Sequence, residues 1–345
     1  TDADLLLGYL DANFFLGGRM RLDVEAARRA VEERVARPMG LGLTEAAWGI
    51  HRVVNENMAA AARVHGIERG KDLRGYPLFA FGGAGPVHAW HIGRILRVPR
   101  VIIPHGAGAL SAFGLLAAPL AFDFVRTAPH RLASADWAQI NRLFEEMETE
   151  GRRIVRGAGV AEDDIFVRRS AEMRYLGQGH EVDVAIPLGR LGPDSVETIT
   201  ASFEAAYRLL YSRTPQGVPL EALNWRTVVS GPAPGILGQS GSTADWGSAG
   251  AISGPPHSTE PSRSRRPTAD GPPQRKSTRK AYFHEAAGYV DTPVYDRDAL
   301  ASGSRFTGPA IVEERESTTV IGPGAAVTVD AHRSLVLTPS SEEAR

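Results

Sequence analysis

The 345-residue chain carries 39 lysines and arginines against 40 aspartates and glutamates, a formal charge of −1, and 43% hydrophobic residues. That balance reads as an ordinary soluble protein with no global bias toward nucleic acid, long enough to bury the cores of two or more domains. Cysteine is absent, which excludes disulfides, thiolate metal sites and a cysteine nucleophile.

In chain order, the first clear element is a long helix over 45–65. Thr44 is its expected N-cap, and Ala47, Ile50, Val54, Met58 and Ala61 recur every three or four residues, as a buried face requires. Leu78-Phe79-Ala80-Phe81 reads as a strand that runs into the turn Gly82-Gly83-Ala84-Gly85, and a helix follows to about Arg97. Such a turn lets backbone N–H groups approach a nucleotide without Cβ obstruction, and the helix N-terminus favours negative charge. Many glycine turns between a strand and a helix bind nothing, so the turn alone does not assign a ligand. Val101-Ile102-Ile103 forms a second short strand bounded by Pro99 and Pro104, with a turn at His105-Gly106-Ala107-Gly108. Residues 109–118 are then a helix of small and apolar residues, the composition of a helix packed tightly on a sheet, and 122–127 a closing strand. Alternation of helix and strand argues for an α/β layer architecture.

The pattern changes after residue 127. A charged amphipathic helix is expected over 136–158, with Ile140, Leu143, Phe144, Met147 and Ile154 on one side. Strands over 165–175 and 181–187 join around Gly177-Gln178-Gly179 as a hairpin, followed by a helix over 196–211 and a strand over 221–230. Helices and strands that do not alternate as βαβ units suggest an α+β domain. Residues 231–277 are rich in Gly, Pro, Ser and Ala and read as a long loop. Short strands near 280–284, 310–313, 318–321, 326–329 and 334–337 imply a small β-rich module. No apolar stretch is long enough to span a bilayer and the N-terminus is not a signal peptide, so a cytoplasmic protein without membrane contact is expected.

Several blocks together resemble one family. Gly82-Gly83-Ala84-Gly85-Pro86-Val87-His88-Ala89, then Val101-Ile102-Ile103-Pro104 and Ser111-Ala112-Phe113-Gly114-Leu115-Leu116, resemble the hydantoinase A/5-oxoprolinase family. Thr1-Asp2-Ala3-Asp4-Leu5, Val54-Asn55-Glu56-Asn57-Met58, Arg174-Tyr175-Leu176-Gly177-Gln178 and Gly308-Pro309-Ala310-Ile311-Val312-Glu313 continue the likeness in family order. The resemblance implies an α/β fold: the second half of an actin-like ATPase domain of the sugar-kinase/Hsp70 type over 1–129. An α+β domain over 130–230, the loop over 231–277 and the β-rich module over 278–345 would follow. It also implies ATP-dependent hydrolysis of a cyclic amide, in which phosphorylation of the lactam or hydantoin oxygen precedes ring opening by water. An Asp-x-Gly-Gly-Thr phosphate loop is missing, so the fragment is expected to be inactive alone, with the Mg2+ ligands in an N-terminal hydantoinase A half. A hydantoinase B-like subunit and an oligomeric assembly are the further implied partners. The alternatives are a subunit of an ATP-dependent acetone- or acetophenone-type ketone carboxylase, and a scaffold half without activity.

On that reading Gly82, Gly83, Ala84, Gly85, Gly108 and Ser111 are the candidate nucleotide-binding residues, and His88 and Asn57 the candidate catalytic ones. His88, His91 and His105 lack a tight ligand motif such as His-Glu-x-x-His, so no metal ligands are assigned. Asp123 and Arg126 are expected to form an ion pair or strand-end contacts. The cluster Arg263, Arg265, Arg266, Arg275, Lys276, Arg279 and Lys280 has no aromatic interleaving before Tyr282, so nucleic-acid binding is not expected.

Overall fold

A computed structural model describes residues 1–211, 214–215, 217–234 and 273–338. The chain opens with α1 (Asp2–Leu6) and α2 (Val24–Val31), whose N-cap Asp23 accepts the Ala26 N–H at 2.9 Å. A π turn (Glu32–Ala36) leads into the single turn α3 (Arg37–Met39), ended by left-handed Gly40. Then come α4 (Leu43–Glu68), β1 (Leu78–Phe79), α5 (Gly85–Leu96), β2 (Val101–Ile103) and α6 (Leu110–Ala117). The following run is β3 (Ala121–Arg131), α7 (Trp137–Gly157), β4 (Phe166–Tyr175), β5 (Val182–Ile186), α8 (Ser195–Tyr211) and β6 (Leu220–Ser230). Seven strands complete the described chain: β7 (Ser277–Phe283), β8 (Gly288–Asp296), β9 (Arg305–Thr307), β10 (Ala310–Glu313), β11 (Thr318–Ile321), β12 (Ala326–Val329) and β13 (Leu335–Thr338).

These elements divide into two units, Thr1–Phe113 with Ser258–Arg345, and Gly114–His257. The expected boundaries at 129/130 and 277/278 are therefore drawn differently. In the first unit a five-stranded sheet runs β1-β2-β13-β12-β9, and a second sheet runs β11-β10-β8-β7. Parallel β1 and β2 together offer five residues, too few to bury a sheet face. β13 completes them by pairing antiparallel with β2, Leu335 opposite Ile103 and Leu337 opposite Val101. The β-rich C-terminal stretch is thus not a separate module: its strands finish the sheet that the glycine turn leaves. Trp90, Ile103, Val312 and Leu337 share one core of this unit, and Tyr9, Trp48 and Phe283 another.

Helix α4 overturns the expected buried face. It starts from Gly42, not Thr44, whose hydroxyl lies 3.3 Å from the Tyr289 hydroxyl. Buried are Ala46, Ala47, Trp48, His51, Asn55, Ala59 and Gly66, while Val54, Met58 and Ala61 are exposed. Two apolar-compatible stripes run along this helix, and the one with small residues and imidazole meets the rest of the unit.

The second unit is a four-stranded antiparallel sheet, β3-β6-β4-β5, packed by α7 and α8. β3 belongs here by pairing with β6, so it does not close the preceding α/β block. Ile140, Phe144 and Met147 of α7, Phe203 of α8 and Trp225 of β6 form its core. Asp123 pairs with Arg226 across the strands, not with Arg126, because β6 sets Arg226 beside it. No residue of α6 is buried, contrary to a helix packed on a sheet. Of the basic cluster, Arg263, Arg265 and Arg266 lie outside the described residues, as does most of the expected 231–277 loop. Lys276 and Arg279 both hold buried Glu313, at 2.7 and 2.9 Å. The chain is mixed α/β with several sheets, and no described helix is long and apolar enough to cross a membrane.

Candidate functional site

The 82–85 turn leaves β1 and starts α5. Gly82 sits at φ +93°, a conformation that L side chains rarely adopt, and its N–H donates to the Ala107 carbonyl at 2.8 Å. Nothing lies within 4 Å of a Cβ built on Gly82 or on Gly85. The first turn of α5 adds amides that have no intrahelical partner. A cavity of about 220 Å3 opens beside this turn, with Gly83, Ala84 and Val87 on one side and Phe14, Asp4 and Glu316 among the other walls. Carboxylates on its rim suit hydroxyl donors of a ligand better than naked phosphate. Glu314, also at this cavity, is already engaged: its Oε1 accepts the Gly106 N–H at 2.7 Å and its Oε2 the Ser317 hydroxyl at 2.9 Å.

Gly108 and Ser111 are not among the residues that line this cavity. A Cβ on Gly108 would stand 2.5 Å from Glu316 Cβ, so this glycine permits a close approach of two backbones. Ser111 is exposed on α6. Asn57 is exposed on α4, whereas Asn55, two residues earlier on the opposite side of the helix, is buried and meets His88.

His88 projects from the first turns of α5 toward α4. Its Nδ1–H donates to Asn55 Oδ1 at 2.8 Å, which leaves Nε2 with a free lone pair. Its ring stacks on that of His51, with centroids 4.7 Å apart and planes at 23°. Trp48 stacks on His51 from another side at 5.7 Å, and His91 meets it edge-on at 5.1 Å. His51 Nδ1 lies 2.7 Å from Asp4 Oδ1, and one donor atom each from Asp4, His51 and His88 lies within 4.8 Å of the others. His105 stays apart from this group and bonds Asp298 at 3.0 Å. Asp4, His51 and Asn55 escape sequence reasoning that follows hydrophobic stripes. The available signal for His51 and Asn55 is the i, i+4 row Ala47, His51, Asn55, Ala59, in which two polar residues lie between two small ones.

Electrostatics follow burial. Desolvation opposes charge on Asp4, but the hydrogen bond and charge of His51 outweigh it and hold the carboxyl below its ordinary range. Burial pushes His88 down to about 4, against the pull of Asp4, and pushes His91 well below its ordinary value. Both are therefore neutral at pH 7. A histidine whose folded pKa is depressed costs stability when the unfolded state takes up protons first. Full stability is expected above about pH 6.5, with progressive loss as pH falls toward 4. Thermal melts from pH 7.5 to 5 should show this decline, and His91→Leu should flatten it and raise Tm most at the acid end. His91 suits this test because both of its ring nitrogens are buried without a hydrogen-bond partner. A melting temperature independent of pH across that window would remove the buried-imidazole account.

The chain matches the hydantoinase/oxoprolinase family over residues 1–124, and that family's C-terminal domain over 127–241 and 248–339. It is 31% identical over 342 residues to caprolactamase subunit alpha of Pseudomonas jessenii, spanning 98% of this chain and 46% of that protein. It is 29% identical over 350 residues to the acetophenone carboxylase gamma subunit of Aromatoleum aromaticum, spanning 98% and 44%. The crystal structure of ATP-dependent caprolactamase from Pseudomonas jessenii superposes with a TM-score of 0.67 at 30% identity, covering 98% of this chain and 46% of that one. The chain thus spans about half the length of the curated relatives it matches.

Proposed function

The chain belongs to the hydantoinase/oxoprolinase family, and from that premise we propose that it is the C-terminal part of an ATP-dependent enzyme that opens cyclic amides. The observation that carries the reading is the 82–85 turn: a strand-to-helix glycine turn with open space at Gly82 and Gly85, beside a cavity, in a chain 31% identical to a caprolactamase subunit. Those features fit a nucleotide. Gly83, Ala84 and the first turn of α5 would hold it, on the adenosine side of an actin-like cleft, with rim carboxylates accepting from sugar hydroxyls. When bound, ATP supplies the phosphoryl group that turns a resonance-stabilised amide oxygen into a leaving group. Mg2+ would accompany it, with ligands on the phosphate side, outside this chain.

His88 acts in this reading as a neutral acceptor. Asn55 fixes its Nδ1–H, so Nε2 presents its lone pair to water or to a ligand hydroxyl. Its low pKa suits orienting a hydrogen bond better than carrying a proton at pH 7. An N-terminal hydantoinase A half and a hydantoinase B-like subunit complete the proposed assembly. A second reading, a subunit of an ATP-dependent ketone carboxylase, is favoured by the 29% identity to the acetophenone carboxylase gamma subunit. Both substrates carry an oxygen to be phosphorylated, so the turn serves either.

Calorimetry with ATP, and phosphate release with and without the N-terminal half of a relative, test the proposal. Expected are binding by this chain and turnover only on complementation, stimulated by 5-oxoproline, hydantoin or caprolactam. Stimulation by a ketone with bicarbonate instead selects the second reading. Turnover by the isolated chain would sink the divided-cleft account, and absence of binding in both samples the nucleotide account.

A further inference from the structure

We infer that Asp4, His51 and His88 form a binding site for one divalent transition-metal ion of the zinc type. The three residues come from α1, α4 and α5 of the same unit, and one donor atom from each lies within 4.8 Å of the other two. Asp4 and His51 are buried, and His88 is half-buried. Two imidazole nitrogens and one carboxylate oxygen are a donor set suited to zinc or to similar borderline ions, and three protein ligands leave a further position for water.

The three donors sit among imidazole nitrogens that lack partners. His51 Nε2 is buried with no hydrogen-bond partner among the described residues, although its other nitrogen faces Asp4. Both ring nitrogens of neighbouring His91 are in the same condition. Buried polar atoms without partners are rare in folded proteins and call for an ion, a water or a chemical role. Packing imidazoles against one another, with Trp48 and Trp90 around them, costs hydration that no hydrogen bond among the described residues returns at His51 Nε2 or at His91.

Support of the ligands is also in place. Asn55 accepts the Nδ1–H of His88, which fixes the tautomer and leaves Nε2 for an ion. Metal-bound histidines commonly have their second nitrogen held in this way. At His51 the ion enters between Nδ1 and Asp4 Oδ1, now 2.7 Å apart, and the ring proton moves to Nε2. Bonds of about 2.0–2.2 Å set donors of one ion roughly 3.2–3.6 Å apart. The Asp4–His51 pair must therefore open slightly, and His88 must turn out of its face-to-face stack on His51 to bring Nε2 to the ion. The negative charge of Asp4 favours a dication at this point.

The test uses the whole 345-residue chain, stripped of metal with a chelator and titrated with Co2+ at pH 7.5. Visible ligand-field bands rising to one equivalent, and erased by Zn2+, are expected. Asp4→Asn and His88→Gln should each weaken Co2+ binding by about a hundredfold, while His130→Gln, in the other unit, should leave it unchanged. Absence of the bands in the wild-type protein overturns the site whatever the variants do. So does tight binding that survives in folded Asp4→Asn and His88→Gln proteins, checked by their melting curves. No nucleotide or turnover enters the readout, so failure here leaves the nucleotide reading standing.

Discussion

Gly85→Leu is expected to lower ATP affinity by about a hundredfold, on the order of 3 kcal/mol, without loss of fold. Gly85 is the first residue of α5, and no atom lies within 4 Å of a Cβ placed there. A side chain at this position therefore starts into open space in the ligand-free chain. Helix propensity even favours the exchange, so the melting temperature should hold or rise slightly. The same side chain occupies the space through which a phosphate or ribose reaches the backbone, where glycine is needed for close approach. Calorimetry with ATP on the variant and wild type decides the matter. Affinity within twofold of wild type, in a protein of normal stability, would take the nucleotide away from the 82–85 turn. Gly82→Ala is the companion variant, because its φ of +93° makes strain, and not occlusion, the expected effect.

Trp225→Ala should destabilise the second unit by about 3–5 kcal/mol. Trp225 is fully buried on β6, and its ring meets Phe144 of α7 edge-on at 5.8 Å. Its Nε1–H donates to the Ala128 carbonyl at 2.9 Å, in the part of β3 where the register with β6 shifts between Thr127 and His130. Alanine would leave a cavity and remove one of two hydrogen bonds at the Ala128 carbonyl, which keeps His130 Nδ1 at 2.9 Å, so the cavity is the main cost. Urea denaturation followed by circular dichroism measures the change. A loss below about 1 kcal/mol would mean that the unit collapses around the vacancy far more readily than close packing allows.

Local patterns in the sequence announced local structure well. The apolar run at 78–81, the glycine turn and the helix behind it appear as β1, the 82–85 turn and α5. Asp136 caps α7 by accepting the Gln139 N–H at 2.9 Å, and the amphipathic row behind it packs as Ile140, Phe144 and Met147. The hairpin between β4 and β5 follows from glycines at its turn. The family was legible for the same reason, since its motifs are contiguous runs of residues. The β8 strand was missed because its residues, Gly288-Tyr289-Val290-Asp291-Thr292-Pro293-Val294, alternate weakly and carry a proline.

The candidate site was legible only by halves. His88 and the glycine turn lie in one contiguous motif, whereas their neighbours Asp4, His51 and Asn55 come from α1 and α4. A periodicity of 3.6 residues shows that α4 has stripes, but not which stripe finds protein to pack against. Val54 and Met58 were the natural choice by hydrophobicity, yet the His51–Asn55 stripe is the buried one.

By itself, then, the sequence determined which segments coil or extend, where the chain turns, and to which family it belongs, because those properties reside in neighbouring residues. Only the tertiary structure decided that β13 pairs with β2 more than two hundred positions away, which face of α4 is buried, and that three distant polar side chains meet beneath the glycine turn. Strand pairing and burial are choices among distant partners of nearly equal local quality, and the packing of the whole unit selects among them.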